Sequence, residues 1–61
     1  GPSFVINTKT KIVHNVSVCG LGIPAKLWRT NCRWRFAVTD HAKPANELAD
    51  LKFIKRCESC F

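Results

Sequence analysis

Four cysteines and two histidines carry the reactive side chains of this 61-residue sequence: Cys19, Cys32, Cys57, Cys60, His14 and His41. Cys57-Glu58-Ser59-Cys60 sets two thiolates two residues apart, the spacing at which one tight turn delivers both sulfurs to a single zinc ion. In a small secreted chain four cysteines would instead form two disulfides, and a CxxC can also be a redox pair. So short a loop seldom closes as a structural disulfide, however, and the pair lacks the strand-then-helix setting that depresses a thiol pKa. The spacing favours metal.

Two further ligands must come from His14, Cys19, Cys32 and His41. In the run Lys11 to Val18, alternation turns Ile12, His14, Val16 and Val18 one way and Lys11, Asn15 and Ser17 the other, with Cys19 on the polar side. His14 therefore faces the core. Cys32 does so by the same test, in step with Trp34 and Phe36. A buried imidazole is stabilised either by a hydrogen bond to a backbone carbonyl or by a metal, and the two open coordination positions favour the metal. The preferred set is His14, Cys32, Cys57 and Cys60. A four-cysteine set with Cys19 in place of His14 stays open, because Gly20 would let knuckle amides turn toward the sulfur. His41, beside Asp40 and Lys43, reads as a solvated loop residue and is the third choice.

The elements that must position these ligands are short. Residues 4–7 and 11–18 are β-branched runs joined by Thr8-Lys9-Thr10, which predicts a hairpin. Gly20, Gly22 and Pro24 break regular structure, and Pro24 suits the first position of one helical turn over residues 24–28. Residues 30–38 alternate as a half-buried strand, with Arg33 and Arg35 on its outer face. A polar connection over 39–44 leads to a short helix over 44–51, with Leu48 and Leu51 three apart, and then to an extended lead-in that turns Leu51 and Phe53 to the core. The expected fold is a small metal-stabilised β-rich (α+β) zinc finger: short antiparallel strands, one short helix or helical turn, and a C-terminal CxxC knuckle. Gly1-Pro2-Ser3 has the look of a cleaved-tag remnant, which leaves 4–61 as a single domain. A chain this small buries only about 60% of its unfolded surface, so a staple such as zinc is expected.

Ten lysines and arginines oppose four acids, for a formal net charge of +6. That balance suits an anionic partner, nucleic acid first. Arg29, Arg33 and Arg35, joined by Lys9 and Lys11 of the hairpin, are the candidate contacts. RNA or single strands are favoured over a duplex, because the chain offers no long basic helix for a major groove. Trp28 reads as core before it reads as a stacking platform. The bland account of the charge is a solvated surface, and the alternative function is a zinc-stabilised protein-interaction module. There is no apolar run of about 18 residues to span a bilayer and no signal-peptide pattern, so a membrane role is not expected and an intracellular site, nuclear or cytoplasmic, is. Neither an open metal position with a neighbouring carboxylate base nor the H-x-E with P-C-x-x-C pattern is present. The zinc is therefore expected to be structural, with no enzymatic activity and no small-molecule substrate.

His14, Thr30-Asn31-Cys32 and Cys57-Glu58-Ser59-Cys60 together resemble small zinc modules in which a strand His, a later Thr-x-Cys and a terminal CxxC bind one metal, similar to segments of retroelement-type polyproteins and of the zinc-ribbon or treble-clef kind. The resemblance covers residues 4–61 and implies association with nucleic acid. Such modules often follow the middle cysteine with Gly and an aromatic residue. Here Arg33 stands in the Gly position, before Trp34.

Overall fold

The computed structural model describes residues 1–37 and 41–61. Val38, Thr39 and Asp40, which fall at the end of the strand and the start of the connection expected from the sequence, lie outside the described residues. Among those described, six short strands form: β1 (Phe4–Asn7), β2 (Ile12–Val18), β3 (Trp28–Thr30), β4 (Arg35–Phe36), β5 (Ala42–Ala45) and β6 (Lys55–Arg56). The sheet order is β4-β3-β2-β1-β5, and β6 lies against β2 as well. All pairings are antiparallel except β2 with β6.

The β1–β2 hairpin forms where the sequence predicts it, with Val5 opposite His14 and Ile6 opposite Val13. Asn7 organises its turn. The Asn7 side-chain oxygen accepts from the amide of Lys9 at 3.0 Å, and its carbonyl accepts from the amide of Lys11 at 2.8 Å. Lys11 closes the turn at φ 62°, a left-handed conformation that side chains seldom adopt.

Both faces of this sheet are covered. On one, Val5, Phe36 and Ala42 are buried beneath Val16, Trp28 and Trp34. On the other, Ile6, Val13 and Leu51 are buried beneath Phe4, Ala45, Leu48 and Phe53. Leu51 and Phe53 thus turn inward as expected. Val13, which alternation assigns to neither the ligand side nor a core, is fully buried at 0% exposure, because the chain after β5 folds over that second face. Trp28 packs edge-on against Phe36 at 5.9 Å, and its indole N–H donates to the Ile23 carbonyl, so it is a core residue.

Three expectations are corrected. The single strand over 30–38 is instead a hairpin: β3 ends at Thr30, the amide of Arg33 donates to the Thr30 carbonyl at 2.9 Å, and β4 returns at Arg35. Arg33 makes this reversal at φ 68°, filling with a long side chain the position that a Gly would fill without strain. The helix over 44–51 shrinks to a 3₁₀ turn at Leu48–Asp50, because residues 42–45 pair with β1 and leave too few residues for a helix. The polar connection therefore holds the edge strand β5. The helical turn after Pro24 does form, as 3₁₀ over Ala25–Leu27.

Ser3, grouped above with a tag remnant, takes part in the sheet. Its amide donates to the Ala45 carbonyl and its carbonyl accepts from the amide of Val16. The bonds from Ser3 to Ala45 and from Thr8 to the His41 carbonyl show which β5 residues address β1, and they leave Pro44 directed to the open edge. A proline there removes the donor that a further strand would need.

Candidate metal centre

The site lies at a seam in the sheet. One side of β2 is taken by β1 from Ile12 to Asn15, with the Ser3 carbonyl reaching the amide of Val16. The other side is shared: β6 pairs at Ile12 and Val13, and β3 pairs at Val16 and Val18. Between them the backbone of β2 meets two tight turns instead of a strand. The amide of Cys57 donates to the Val13 carbonyl at 2.9 Å, and the amide of Asn31 donates to the Asn15 carbonyl at 2.9 Å. His14 sits between those two carbonyls, flanked by one turn that carries Cys32 and another that carries Cys57 and Cys60.

Within this seam the ligand atoms of His14, Cys32, Cys57 and Cys60 all lie within 4.8 Å of one another. Nδ1 of His14 is 3.4 Å from Cys32 Sγ and 3.6 Å from Cys60 Sγ. A tetrahedral zinc with bonds of about 2.3 Å to sulfur and about 2.0 Å to nitrogen sets each N···S edge at about 3.5 Å and each S···S edge at about 3.8 Å. The two N···S distances in the site fall close to that edge. One imidazole and three thiols at this size form a donor set that could hold one metal ion.

The surroundings act in opposite directions on two of the thiols. Burial pushes the Cys32 thiol up, but hydrogen bonds from the Thr30 hydroxyl and the Trp34 backbone, with smaller ones from Cys60 and Cys57, more than offset this and bring it below its ordinary range. Burial raises the Cys60 thiol, and the backbone amides of Asn15 and Cys32 offset part of that rise. The amide of Asn15 is available for this because neither β3 nor β6 pairs with β2 at Asn15. Burial also lowers the pKa of His14, which keeps the ring neutral and able to bind metal at pH 7.

Three residues outside the ligand set build the site. Thr30, 2% exposed, accepts from the Trp34 amide at 3.1 Å and holds its hydroxyl 3.1 Å from Cys32 Sγ. Asn31 donates from its side-chain amide to the Cys60 carbonyl at 3.1 Å, tying one turn to the other. The Trp34 ring lies 4.8 Å from the imidazole of His14 at a tilt of 50°. The Thr-x-Cys spacing signals Thr30; nothing in the sequence signals Asn31, whose role depends on two turns 29 residues apart meeting.

The alternates fall elsewhere. Cys19 lies half-buried near the Pro2 carbonyl, and His41 is exposed; neither joins the cluster. The basic residues separate. Arg29 stands directly opposite Arg35 across β3 and β4, both exposed, and a groove there is lined by Leu27, Arg29 and Arg35. Arg33 is exposed on the Cys32 turn and does not share their register. Lys9 and Lys11 occupy the far end of β2, about 20 Å along a seven-residue strand, so they do not extend the arginine surface.

Comparison with protein-family models, with curated proteins and with solved structures returns no match to the chain. The fold and site together define a small β-rich domain in which a His and three cysteines could hold one metal ion. Among the described residues no helix is long and apolar enough to cross a membrane.

Proposed function

We propose that the chain is a structural zinc module without enzymatic activity, in which His14, Cys32, Cys57 and Cys60 bind one Zn²⁺. The observation that carries this reading is the convergence of four donors from three separate segments to within 4.8 Å. Four protein ligands leave no open position for water or substrate, and Glu58, the acid between two of the ligands, is exposed. Thiolate ligands also suit a reducing compartment, the nucleus or cytoplasm. Native mass spectrometry with and without chelator tests the proposal. One zinc ion should be found in the parent chain and in Cys19→Ser, and should be lost in His14→Ala; zinc lost from Cys19→Ser and kept by His14→Ala would refute the ligand set.

The scaffold so formed presents its arginines to nucleic acid, with RNA or single strands favoured. Supporting this is the Arg29–Arg35 pair. Like charges directly opposite one another on a sheet are mutually unfavourable unless an anion bridges them, and guanidinium forks match phosphate oxygens. Binding should weaken steeply with added salt and fall in Arg29→Ala/Arg35→Ala, while a protein-interaction module would show neither response.

A further inference from the structure

The lysines that the arginine surface leaves out gather at a second place. Lys11 from the hairpin turn, Lys43 from the edge strand β5 and Lys52 from the segment after the second 3₁₀ turn line one cavity of about 300 Å³. Its apolar wall is Ile6 and Leu51, both buried, and its other polar residues are Thr8 and Asp50. Three segments thus bring three lysines and one aspartate to the lining of one concavity, a surplus of two positive charges among the described residues.

Two details of the backbone fix this arrangement. Lys43 stands in register with Ile6, so the strand pairing sets its position above the apolar wall. Lys11 is held at φ 62° by the bond from its amide to the Asn7 carbonyl and by the bond from the amide of Ile54 to its own carbonyl, at 2.7 Å. A left-handed lysine is a costly choice in a turn where Gly or Asn would serve, and strained residues of this kind gather at ligand sites.

We infer that this cavity binds a phosphomonoester. A phosphate carrying one organic group has close to two negative charges at pH 7, which matches the surplus. Lysine ammoniums serve as mobile point charges around such a group. The volume is at the small end for ligand sites, enough for a phosphate and a compact organic body lying against Ile6 and Leu51. The site shares no residue with the metal centre or the Arg29–Arg35 groove, so its failure and theirs are distinguishable.

The test is a titration of the zinc-loaded, ¹⁵N-labelled chain with inorganic phosphate, adenosine 5′-monophosphate and adenosine, at constant ionic strength. Phosphate and the monophosphate should give saturable amide shifts centred on Lys11, Lys43 and Lys52, and adenosine should not. Lys43→Gln/Lys52→Gln should weaken the monophosphate about tenfold or more while retaining zinc, and Arg29→Ala/Arg35→Ala should leave it unchanged. The source is read by competition: a short oligonucleotide with a 5′ phosphate that displaces the monophosphate, where its 5′-hydroxyl counterpart does not, identifies a nucleic-acid terminus, and no displacement by either identifies a free phosphomonoester. Shifts that never saturate, equal shifts from adenosine, or an unaffected lysine double variant would each overturn the inference.

Discussion

At the scale of single residues, Thr30 shows how much of a metal centre lies outside its ligands. Its hydroxyl has one proton and two neighbours that can receive it, the Trp34 carbonyl at 3.3 Å and Cys32 Sγ at 3.1 Å. With Cys32 as thiolate, the charged sulfur is the stronger acceptor, and the hydroxyl still accepts from the Trp34 amide. Thr30→Val keeps the shape, removes the donor to sulfur and leaves a buried amide without its acceptor. Metal affinity should fall about tenfold, as for other groups that support ligands, and Thr30→Ser should recover most of it. A competition titration against a chelator of known affinity measures both, and equal affinities for Thr30→Val and the parent would remove Thr30 from the site.

Between residues and the whole molecule, the turn from β3 to β4 carries the largest departure from expectation. Arg33 holds φ 68° so that the chain can reverse and Cys32 can reach the seam. Arg33→Gly should raise unfolding stability by up to about 1 kcal/mol, the left-handed strain removed being partly offset by the freer unfolded chain. Chemical denaturation of the zinc-loaded protein measures it; a loss of stability would show that the arginine side chain contributes more than its backbone costs. The same turn explains what could be read in advance. Alternation within β2 turned His14 inward and the two-residue spacing marked Cys57 and Cys60, because each is a local pattern, whereas Cys32 reaches the site from a turn and not from the strand whose alternation singled it out. The hairpin at Cys32 was hidden because Arg33 and Arg35 alternate with Trp34 and Phe36 as a strand's residues would, and only the backbone angle at Arg33 breaks the run. The strand β5 was hidden for the opposite reason: Ala42-Lys43-Pro44-Ala45 has poor strand propensity and pairs only because β1 offers an edge. Val13 and Asn31 depend on contacts between distant segments, which periodicity does not encode.

For the whole molecule, a metal held by these four ligands would join segments that are paired through only short strands. β4 and β6 are two residues long each, and the segments bearing three of the four ligands are attached to β2 chiefly around the seam. Metal binding requires three thiolates and a neutral imidazole, so it releases protons and strengthens as pH rises. His14 adds to this in the metal-free chain as well. Its pKa is lowered from 6.5 in the folded state, so the unfolded chain binds the proton more readily; its contribution is intact above 6.5 and is lost as pH falls toward the lowered value. Acidification from pH 7 to below 5 should therefore release zinc and collapse the amide dispersion in one cooperative step, and chelator at pH 7 should reproduce the same end state. Dispersion that survives both treatments would show that the two apolar clusters fold without metal. The tilt of Trp34 against His14 bears on how such experiments are watched. Both tryptophans pack on Phe36, but Trp28 donates to the Ile23 carbonyl whereas Trp34 lies against a ligand ring. The protein thus carries an intrinsic fluorophore in van der Waals range of its own metal centre, and the emission of Trp34 can report occupancy in real time without a label.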